Sequence, residues 1–341
     1  MKVLHLLASN VYSGAENVVC QIIDMFNGEV EMVYCSPEGK IRQTLEEKNI
    51  TFIPIDKLNK KELKRVVNEF KPDIIHAHDI RASIVASSFG KKIPVISHIH
   101  GNDKRNMGRL TPKSILYRLV SKRFKKVIHV SNSCFNDYIF KKSIENKSVI
   151  LHNIISIDRL YQKEKLDKNS YGYEVCYLGR LSEIKNPMRA LEIMKNVIQK
   201  RPETKCVFIG DGELRNECES FVKDNKLEEN ITFLGFVNNP YKIVKSARVV
   251  LMSSINEGTP MALLESFALG IPLVSSKVDG AVELITNDSM GYLYDTNEEA
   301  VDEILKIINS DKKKYIDYLT KYSIEYNDIN KYKEQILKAY K

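Results

Sequence analysis

Two glutamates eight residues apart are the pair of residues in this chain that most invites a chemical interpretation. Glu257 and Glu265 lie in the segment EGTPMALLE. Thr259 as N-cap, Pro260 as first helical residue and Gly270 as terminator predict a helix of about ten residues here. That helix is apolar almost all round, so Glu265 would be a buried carboxylate that needs a partner or a polar cleft.

The spacing of the two acids fits a nucleotide-sugar. Glu265 lies roughly 7–8 Å along the axis from the helix start, about the span from a ribose to the attached sugar. The carboxylates of Glu257 and Glu265 could hold hydroxyl groups at both ends, and the free N–H groups at the helix start suit a diphosphate. The alternative is that Glu265 is a structural acid paired with an arginine and Glu257 is an ordinary loop residue.

Two cations follow a second predicted strand, in the segment LGRLSEIKNP. Ligands of open α/β sheets bind at the carboxyl ends of strands, where Arg180 and Lys185 would neutralise a leaving diphosphate. The chain has no D-x-D segment. We therefore expect no metal site and no cofactor, with the cations doing the electrostatic work of a metal. The alternative is that both side chains are merely solvated.

Glycines after two other strands allow close approach of the backbone to a ligand. Gly14 stands at a strand-to-helix turn, where its N–H could meet a phosphate or a sugar. Gly210 and Gly212 form a G-x-G segment, but Arg215 stands where a dinucleotide fingerprint has its third glycine. This departure argues against an NAD enzyme.

Alternating apolar runs and helical patterns must position these residues, and they predict parallel sheets covered by helices on both faces. The predicted strands are Val3–Ala8, Val30–Cys35, Asp73–His76, Pro94–His98, Val127–Val130, Glu174–Tyr177, Lys205–Ile209, Ile231–Leu234, Val249–Met252 and Pro272–Ser275. The charged stretch Tyr161–Tyr173 is interpreted as a linker between two such domains.

Composition is that of an ordinary globular protein, with 43% apolar and 28% charged residues among 341. Six scattered cysteines without a C-x-x-C pair suit reduced thiols, and no apolar run suits a membrane span. We therefore expect a cytoplasmic protein. The net charge of +8 is matched by residues 101–126 alone, which hold nine basic residues and one acid, Asp103.

The basic segment contains a helix that we predict to begin at Thr111-Pro112. Its apolar residues, Ile115, Leu116, Leu119, Val120 and Phe124, fall on one side, and Arg118, Lys122, Lys125 and Lys126 fall on the other. One interpretation is a core helix with a solvated charged back. The other is a contact with an anionic membrane surface that brings the protein to a lipid-linked acceptor. We expect no nucleic-acid partner, because no recognised module accompanies the basic run.

These segments together resemble one known family, the retaining family 4 glycosyltransferases, also called glycosyltransferase group 1. The resemblance covers nearly the whole chain. It rests on the segments SGAENVV, PDIIHAH, HVSNS, YLGRLSEIKNP, IGDGELR, EGTPMALLE, GIPLVSSKVDGAVELI and GYLY in the family's order. Two departures are Ser13-Gly14, where the family often has Gly-Gly, and His98, where a small hydroxyl residue is common.

The resemblance implies a role for each site residue. Glu257 would contact the donor-sugar hydroxyls and Glu265 the ribose, Arg180 and Lys185 would hold the diphosphate, and Gly14 would donate its N–H to the distal phosphate. Gly258 and Thr259 belong to the implied donor-binding segment. His100, in SHIHG, matches the family's histidine near the reacting sugar, whereas His76 and His78 would shape a loop.

The implied fold is GT-B, with two Rossmann-like domains facing a central cleft. We expect an acceptor-side domain over residues 1–165, a nucleotide-sugar-binding domain over 166–318, and a terminal helix, 319–341, that crosses back to the first domain. The implied activity is metal-independent, retaining transfer from a nucleotide-sugar, with UDP favoured, to a glycan or lipid-linked acceptor. The enzyme would work in the cytoplasm, at the inner face of the membrane, in surface polysaccharide assembly. The alternatives are an epimerase or phosphorylase of the same fold and a non-catalytic partner subunit.

Overall fold

The protein divides into two compact units, each built on its own parallel sheet. The structure, a computed structural model, describes residues 1–26, 28–101 and 104–341, without the side chains of Lys104 and Arg105. Unit 1 comprises residues 1–154 and 328–341, and unit 2 comprises residues 155–327. The expected boundaries were 165/166 and 318/319, so both transitions lie at different positions in the structure.

The strands of unit 1 are β1 (Lys2–Leu6), β2 (Glu31–Pro37), β3 (Phe52–Ile55), β4 (Ile74–His78), β5 (Val95–Ile99), β6 (Lys126–His129) and β7 (Ser148–Ile150). Those of unit 2 are β8 (Val175–Leu178), β9 (Cys206–Ile209), β10 (Ile231–Gly235), β11 (Val249–Met252), β12 (Leu273–Ser276) and β13 (Gly291–Tyr294). The helices are, in chain order, α1 (Gly14–Phe26), α2 (Ile41–Glu47), α3 (Lys60–Phe70), α4 (Ile80–Ala86), α5 (Lys104–Met107), α6 (Pro112–Ser121), α7 (Asn132–Asn136), α8 (Ile157–Leu166), α9 (Pro187–Lys200), α10 (Arg215–Asp224), α11 (Tyr241–Ser246), α12 (Met261–Ala268), α13 (Asp279–Leu284), α14 (Asn297–Ile308), α15 (Lys312–Tyr326) and α16 (Ile329–Tyr340). Two short 3₁₀ turns cover Lys141–Ser143 and Glu145–Lys147.

Both sheets reverse their direction of winding once. The strand order is β3-β2-β1-β4-β5-β6-β7 in unit 1 and β10-β9-β8-β11-β12-β13 in unit 2. The reversal therefore lies between β1 and β4 in the first sheet and between β8 and β11 in the second. In open α/β sheets ligands bind at such a switch point, beyond the carboxyl ends of the strands. The strand order therefore predicts ligand sites at the loops after β1, β4, β8 and β11.

The central strands follow from their composition. In unit 2 the sequences VCYL, CVFI and VVLM are almost entirely apolar, and helices cover the sheet on both faces, so nearly every side chain of these strands is buried. All ten predicted strands are present, with ends shifted by no more than two residues. The strands that the sequence did not predict, β3, β7 and β13, each lie at the edge of a sheet.

The predicted linker is partly helical. Helix α8 occupies its first residues and packs within unit 2: the Tyr161 hydroxyl donates to the carbonyl of Ala268 at 2.7 Å. Glu164 of the same helix forms ion pairs with Lys242 and Lys245 at 3.2 and 3.1 Å. These contacts explain why unit 2 begins before residue 166.

The two terminal helices belong to different units. Helix α15 packs on α12 in unit 2, whereas α16 lies against α1 in unit 1. Lys333 of α16 pairs with Glu29 at 2.6 Å, and the Lys125 ammonium donates to the carbonyl of Tyr340 at 2.9 Å. The segment that returns to unit 1 therefore starts at residue 328, not 319.

Candidate functional site

The loops after β8 and β11 meet at the switch point of unit 2. They bring Lys185 and Glu257 into direct contact, with the Lys185 ammonium donating to Oε1 of Glu257. The same Oε1 accepts a hydrogen bond from the Ser254 hydroxyl at 2.7 Å. Within the described residues, Oε2 of Glu257 makes no hydrogen bond, so the carboxylate keeps an acceptor for a ligand.

Serine hydroxyls and the backbone hold these two loops together. The Ser253 hydroxyl lies 3.1 and 2.7 Å from the carbonyls of Lys185 and Asn186, and the N–H of Ile255 donates to the carbonyl of Ile184 at 2.8 Å. The lysine and the glutamate are therefore fixed by main-chain contacts around them and not only by their mutual attraction.

The loop that carries Arg180 packs backbone to backbone on the G-x-G segment. A Cβ built at Gly210, where φ is +137°, would lie 2.0 Å from the carbonyl oxygen of Gly179, and one at Gly212 would lie 2.3 Å from that of Leu181. The glycines thus serve close packing of two loops. Arg180 itself is exposed, and its guanidinium pairs with no residue of the described chain. Arg180 lies on the same loop as Lys185, five residues before it in the sequence.

Helix α12 begins later than predicted. Its first residue is Met261, and Pro260 occupies the cap position with extended backbone and no side-chain capping bond. The prediction of Thr259 as N-cap is therefore wrong, because the ψ of 119° at Pro260 keeps that residue outside the helix. The predicted stop is confirmed: Gly270 follows the helix with φ of +74°.

The segment before α12 is held by the backbone of α13. A Cβ built at Gly280 would lie 1.6 Å from the carbonyl oxygen of Gly258. Gly258 and Thr259 are both buried. Only a glycine at position 280 permits this approach, so Gly280 fixes the loop that carries Glu257.

Glu265 lies on α12 and is largely buried, as predicted, but its partner is not an arginine. The Tyr241 hydroxyl donates to Oε1 of Glu265 at 3.3 Å. Burial raises the pKa of Glu265 from 4.5 to about 7, against the opposing influence of Tyr241 and of the Lys163 charge. Such a carboxylate gains more from a ligand hydroxyl than an exposed one does, because it is poorly solvated.

The remaining predicted site residues, Gly14 and His100, belong to unit 1. Gly14 is the first residue of α1, and a Cβ built there would have no atom within 4 Å. His100 directly follows β5, stacks on His98 with ring centroids 4.1 Å apart, and shares a hydrogen bond with His78 at 2.8 Å. Its Nδ1 is buried and has no hydrogen-bond partner among the described residues.

His76 and His78 are strand residues and do not shape a loop as expected. Both lie in β4 with exposed fractions of 0% and 1%, and their rings stack 4.2 Å apart. The prediction failed because β4 extends two residues beyond its expected end at His76.

The basic helix α6 presents part of its apolar side to solvent. The start at Thr111-Pro112 is confirmed, with Thr111 and Ser114 forming a capping box. The buried side is Ser114, Tyr117 and Ser121, whereas Ile115, Leu116 and Leu119 are 44%, 44% and 61% exposed. The interpretation as a core helix with a charged back holds only in part: Phe124 is buried and Val120 half-buried, but the Tyr117 hydroxyl, 2.8 Å from Ser97 of β5, turns a different side of the helix inward.

Several residues that support the candidate site were not predicted as site residues. Ser253, Ser254, Tyr241 and Gly280 act through partners that only the fold brings near. Ser253 and Ser254 follow β11 directly, so proximity to the end of a central strand was the one available indication.

Two family models together cover nearly all of the chain. The model described as "Glycosyl transferases group 1" matches residues 158–337, more than half of the chain, and "Glycosyltransferase Family 4" matches residues 12–159. The chain belongs to the glycosyl transferases group 1 family. It is accordingly a glycosyltransferase, and the resemblance seen in its motifs is confirmed.

Relatives and solved structures agree with this assignment. The chain is 26% identical over 333 residues to the Escherichia coli UDP-Gal:alpha-D-GlcNAc-diphosphoundecaprenol alpha-1,3-galactosyltransferase, covering 87% of this chain and 85% of the relative. It is 31% identical over 238 residues to an uncharacterized glycosyltransferase of Methanocaldococcus jannaschii, covering 63% of this chain and 58% of that relative's length. Anabaena HepE, crystallised with UDP-glucose, matches with a TM-score of 0.83 at 20% identity, covering 99% of this chain and 98% of its own. The fold of this group 1 enzyme is GT-B.

Within residues 1–26, 28–101 and 104–341, no helix combines the length and the apolar character that crossing a bilayer requires.

Proposed function

We propose that this group 1 glycosyltransferase transfers a sugar, with retention of anomeric configuration and without a metal ion, from a UDP-sugar to a lipid-linked glycan. The observation that carries the proposal is the meeting of Lys185 and Glu257 at the switch point of unit 2. A cation and a hydroxyl-binding acid side by side suit the junction of a diphosphate and its sugar. The printed names of a UDP-galactose-dependent relative and of a UDP-glucose complex support the choice of donor.

Each residue of the candidate site would contact a different part of the donor. Lys185 has three N–H donors and gives one to Glu257, so the others remain for phosphate oxygens. Arg180, exposed and unpaired in its loop, would neutralise the charge that develops on the departing diphosphate. Oε2 of Glu257 would accept a hydroxyl of the transferred sugar, while Glu265 would accept the ribose hydroxyls. Gly258 and Thr259 would line the phosphate, and Gly14 of unit 1 would donate its N–H to the distal phosphate.

In this mechanism the enzyme would accelerate the reaction by stabilising the leaving diphosphate. The acceptor hydroxyl would attack from the face that the diphosphate leaves, and a phosphate oxygen would receive its proton, so no protein nucleophile is needed. His100 would contact the reacting sugar. Interactions that strengthen as the diphosphate gains charge lower the barrier without tightening ground-state binding.

The exposed face of α6 supports a membrane-bound acceptor. Leu116 and Leu119 of α6 are 44% and 61% exposed, Leu110 just before the helix is 71% exposed, and the neighbouring cations Arg118 and Lys122 are exposed as well. Leucine with lysine and arginine on one exposed surface is the pattern of a helix that lies on anionic lipid. Lys125 is committed to the end of α16, and Asp103 with the side chains of Lys104 and Arg105 lies outside the described residues. We propose that this face binds the inner surface of the cytoplasmic membrane.

A donor screen tests the proposed function. Thermal-shift measurements with UDP-, GDP- and other nucleotide-sugars, in EDTA, should give the largest stabilisation with a UDP-sugar. NMR of the product formed on a lipid-linked acceptor should then show the donor's anomeric configuration. Isomerised nucleotide-sugar in the absence of acceptor would instead indicate an epimerase. Failure to bind any nucleotide would indicate a non-catalytic subunit.

A further inference from the structure

Five histidines form an array on one face of the sheet of unit 1. His5 lies on β1 opposite His76 of β4, and His78 lies opposite His98 of β5, with His100 just beyond the strand. His5, His76 and His98 are fully buried, and the pKa values of all five lie well below the ordinary value because burial disfavours the charged form. The five imidazoles are therefore neutral at physiological pH.

Three of these imidazoles and a thioether form a hydrogen-bonded chain, which we call the His5–His78–His100 chain. His5 Nε2 lies 3.4 Å from Sδ of Met32, and His5 Nδ1 lies 2.9 Å from His78 Nε2. His78 Nδ1 lies 2.8 Å from His100 Nε2. The chain ends at His100 Nδ1, which has no partner among the described residues.

The thioether fixes the direction of every bond in the chain. Sulfur in methionine is an acceptor only, so His5 Nε2 must carry the proton. His5 Nδ1 is then a lone pair, which requires the proton of His78 on Nε2. By the same argument His100 is protonated on Nε2, and its Nδ1 is a lone pair.

We infer that His5, His78 and Met32 are positioning residues that hold His100 in the Nε2–H tautomer, so that its Nδ1 accepts a hydrogen bond from a sugar hydroxyl. The inference rests on the proposed function for the identity of the hydroxyl. An imidazole whose second nitrogen is fixed by a neighbour presents one defined nitrogen to a ligand. The chain does not conduct protons, because the thioether closes it at one end.

A metal centre explains the array less well. Ring nitrogens of His5, His76 and His78, and of His78, His98 and His100, do lie within 4.8 Å of one another. However, His76–His78 and His98–His100 are stacked, with interplanar angles of 25° and 29°, so their in-plane lone pairs run side by side and do not converge. The hydrogen-bonded nitrogens at 2.8 and 2.9 Å are also closer than the roughly 3.3 Å between two ligands of a tetrahedral zinc.

Nitrogen NMR of the full chain labelled with ¹⁵N-histidine tests the tautomers without any substrate. We expect protonated Nε2 and unprotonated Nδ1 at His5, His78 and His100, with couplings across the two N–H···N bonds. Protonated Nδ1 at His100 would overturn the inference. A shift of the array's resonances on addition of one equivalent of Zn²⁺, reversed by EDTA, would also overturn it in favour of a metal site.

Variants test the positioning role. His78→Phe should remove the couplings. It should also lower the turnover rate, measured as UDP formed from the preferred donor, by about tenfold, which is the effect of losing one buried hydrogen bond. The affinity for UDP itself should not change. His78→Gln, which keeps one donor and one acceptor, should restore part of the rate. Tyr340→Phe is the matched control. The buried Tyr340 hydroxyl lies 2.8 Å from Nδ1 of His76, which is not a member of the His5–His78–His100 chain.

The experiments distinguish a failure of the positioning role from a failure of the proposed function. Equal turnover in wild type and His78→Phe would refute the positioning role even if the tautomers are as expected. If the wild-type enzyme binds no nucleotide-sugar, the proposed function fails. The NMR result then decides the tautomer of His100 alone.

Discussion

At the scale of single residues, the candidate site of unit 2 contains charged groups that differ in their solvation. Lys185 and Glu257 are a partly exposed pair, with 32% and 11% of their side chains accessible, whereas Glu265 contacts Tyr241 and has a pKa raised by burial. An ion pair that already exists loses little entropy when a ligand joins it, because both side chains are fixed. The buried acid is a group whose protonation depends on the fold.

Glu265 should make stability depend on pH. Its folded pKa of about 7 exceeds its ordinary 4.5, so the folded state binds the proton more tightly. The stabilising contribution is complete below pH 4.5 and is lost as the pH rises through 7. Relative to wild type, Glu265→Gln should gain about 1–3 kcal/mol of unfolding free energy between about pH 5 and 8.

Urea unfolding at several pH values measures this difference. Glu228→Gln, at an exposed acid of the same unit, is the control and should follow wild type. A constant difference between Glu265→Gln and wild type across this range would show that Glu265 is not held in a proton-binding environment.

At the scale of elements, the backbone of α13 sets the position of the loop before α12. Gly280 is helical, so helix propensity alone would favour alanine by up to about 1 kcal/mol. The Cβ would nevertheless lie 1.6 Å from the carbonyl of Gly258. Gly280→Ala should therefore destabilise unit 2 by about 2–3 kcal/mol and weaken UDP binding, because the displaced loop carries Glu257.

Differential scanning calorimetry and a UDP titration measure both effects. Gly172→Ala is the matched control, since a Cβ there meets no atom within 4 Å. A Gly280→Ala protein as stable as wild type would mean that the loop and the helix are not in close contact.

The exposed leucines of α6 should contribute to membrane binding. Replacing Leu116 and Leu119 by serine should reduce sedimentation with anionic vesicles at least about tenfold, because two exposed leucines no longer enter the lipid. Ile324→Ser in α15 is the control, since Ile324 is as exposed as Leu119, at 61%, but lies in unit 2. Wild-type protein that fails to sediment at low salt would refute the membrane contact.

Elements differed in how well the sequence predicted them. Strands β8, β9 and β11 were found because central strands need apolar residues on both faces. Edge strands give a weaker signal: β3 has four residues and is interrupted by Pro54, and β7 is three half-exposed residues. In α6 the sequence pattern singled out one apolar side and one charged side, whereas the structure buries a third set of residues, Ser114, Tyr117 and Ser121, because Tyr117 contacts Ser97 of β5.

The contacts of the candidate site were also predicted unevenly. Residues that lie near one another in sequence, such as Glu257 and Glu265 or Arg180 and Lys185, were recognisable from spacing and motif. The contact of Lys185 with Glu257 depends on the adjacency of β8 and β11, which are far apart in sequence. Tyr241, Gly280 and the His5–His78–His100 chain likewise depend on tertiary contacts.

At the scale of the whole molecule, two parallel-sheet units of a GT-B enzyme carry separate sets of polar groups. Unit 2 holds the cations and acids of the proposed donor site, and unit 1 holds the histidine array and the exposed face of α6. The excess positive charge of the sequence lies mainly in unit 1, in the segment that includes α6. We propose that unit 2 supplies most of the donor contacts, that Gly14 and His100 of unit 1 add to them, and that the rest of unit 1 serves the acceptor.

Calorimetric titration of UDP into wild type, Arg180→Ala, Lys185→Ala and Lys200→Ala tests the central claim most directly. Lys200 forms a surface ion pair with Asp302 and serves as the matched cation. We predict that wild type and Lys200→Ala bind UDP equally, and that Arg180→Ala and Lys185→Ala each bind at least about tenfold more weakly, because a charge-assisted hydrogen bond to phosphate is lost. Equal binding by all four proteins, or no binding by any of them, would contradict the account.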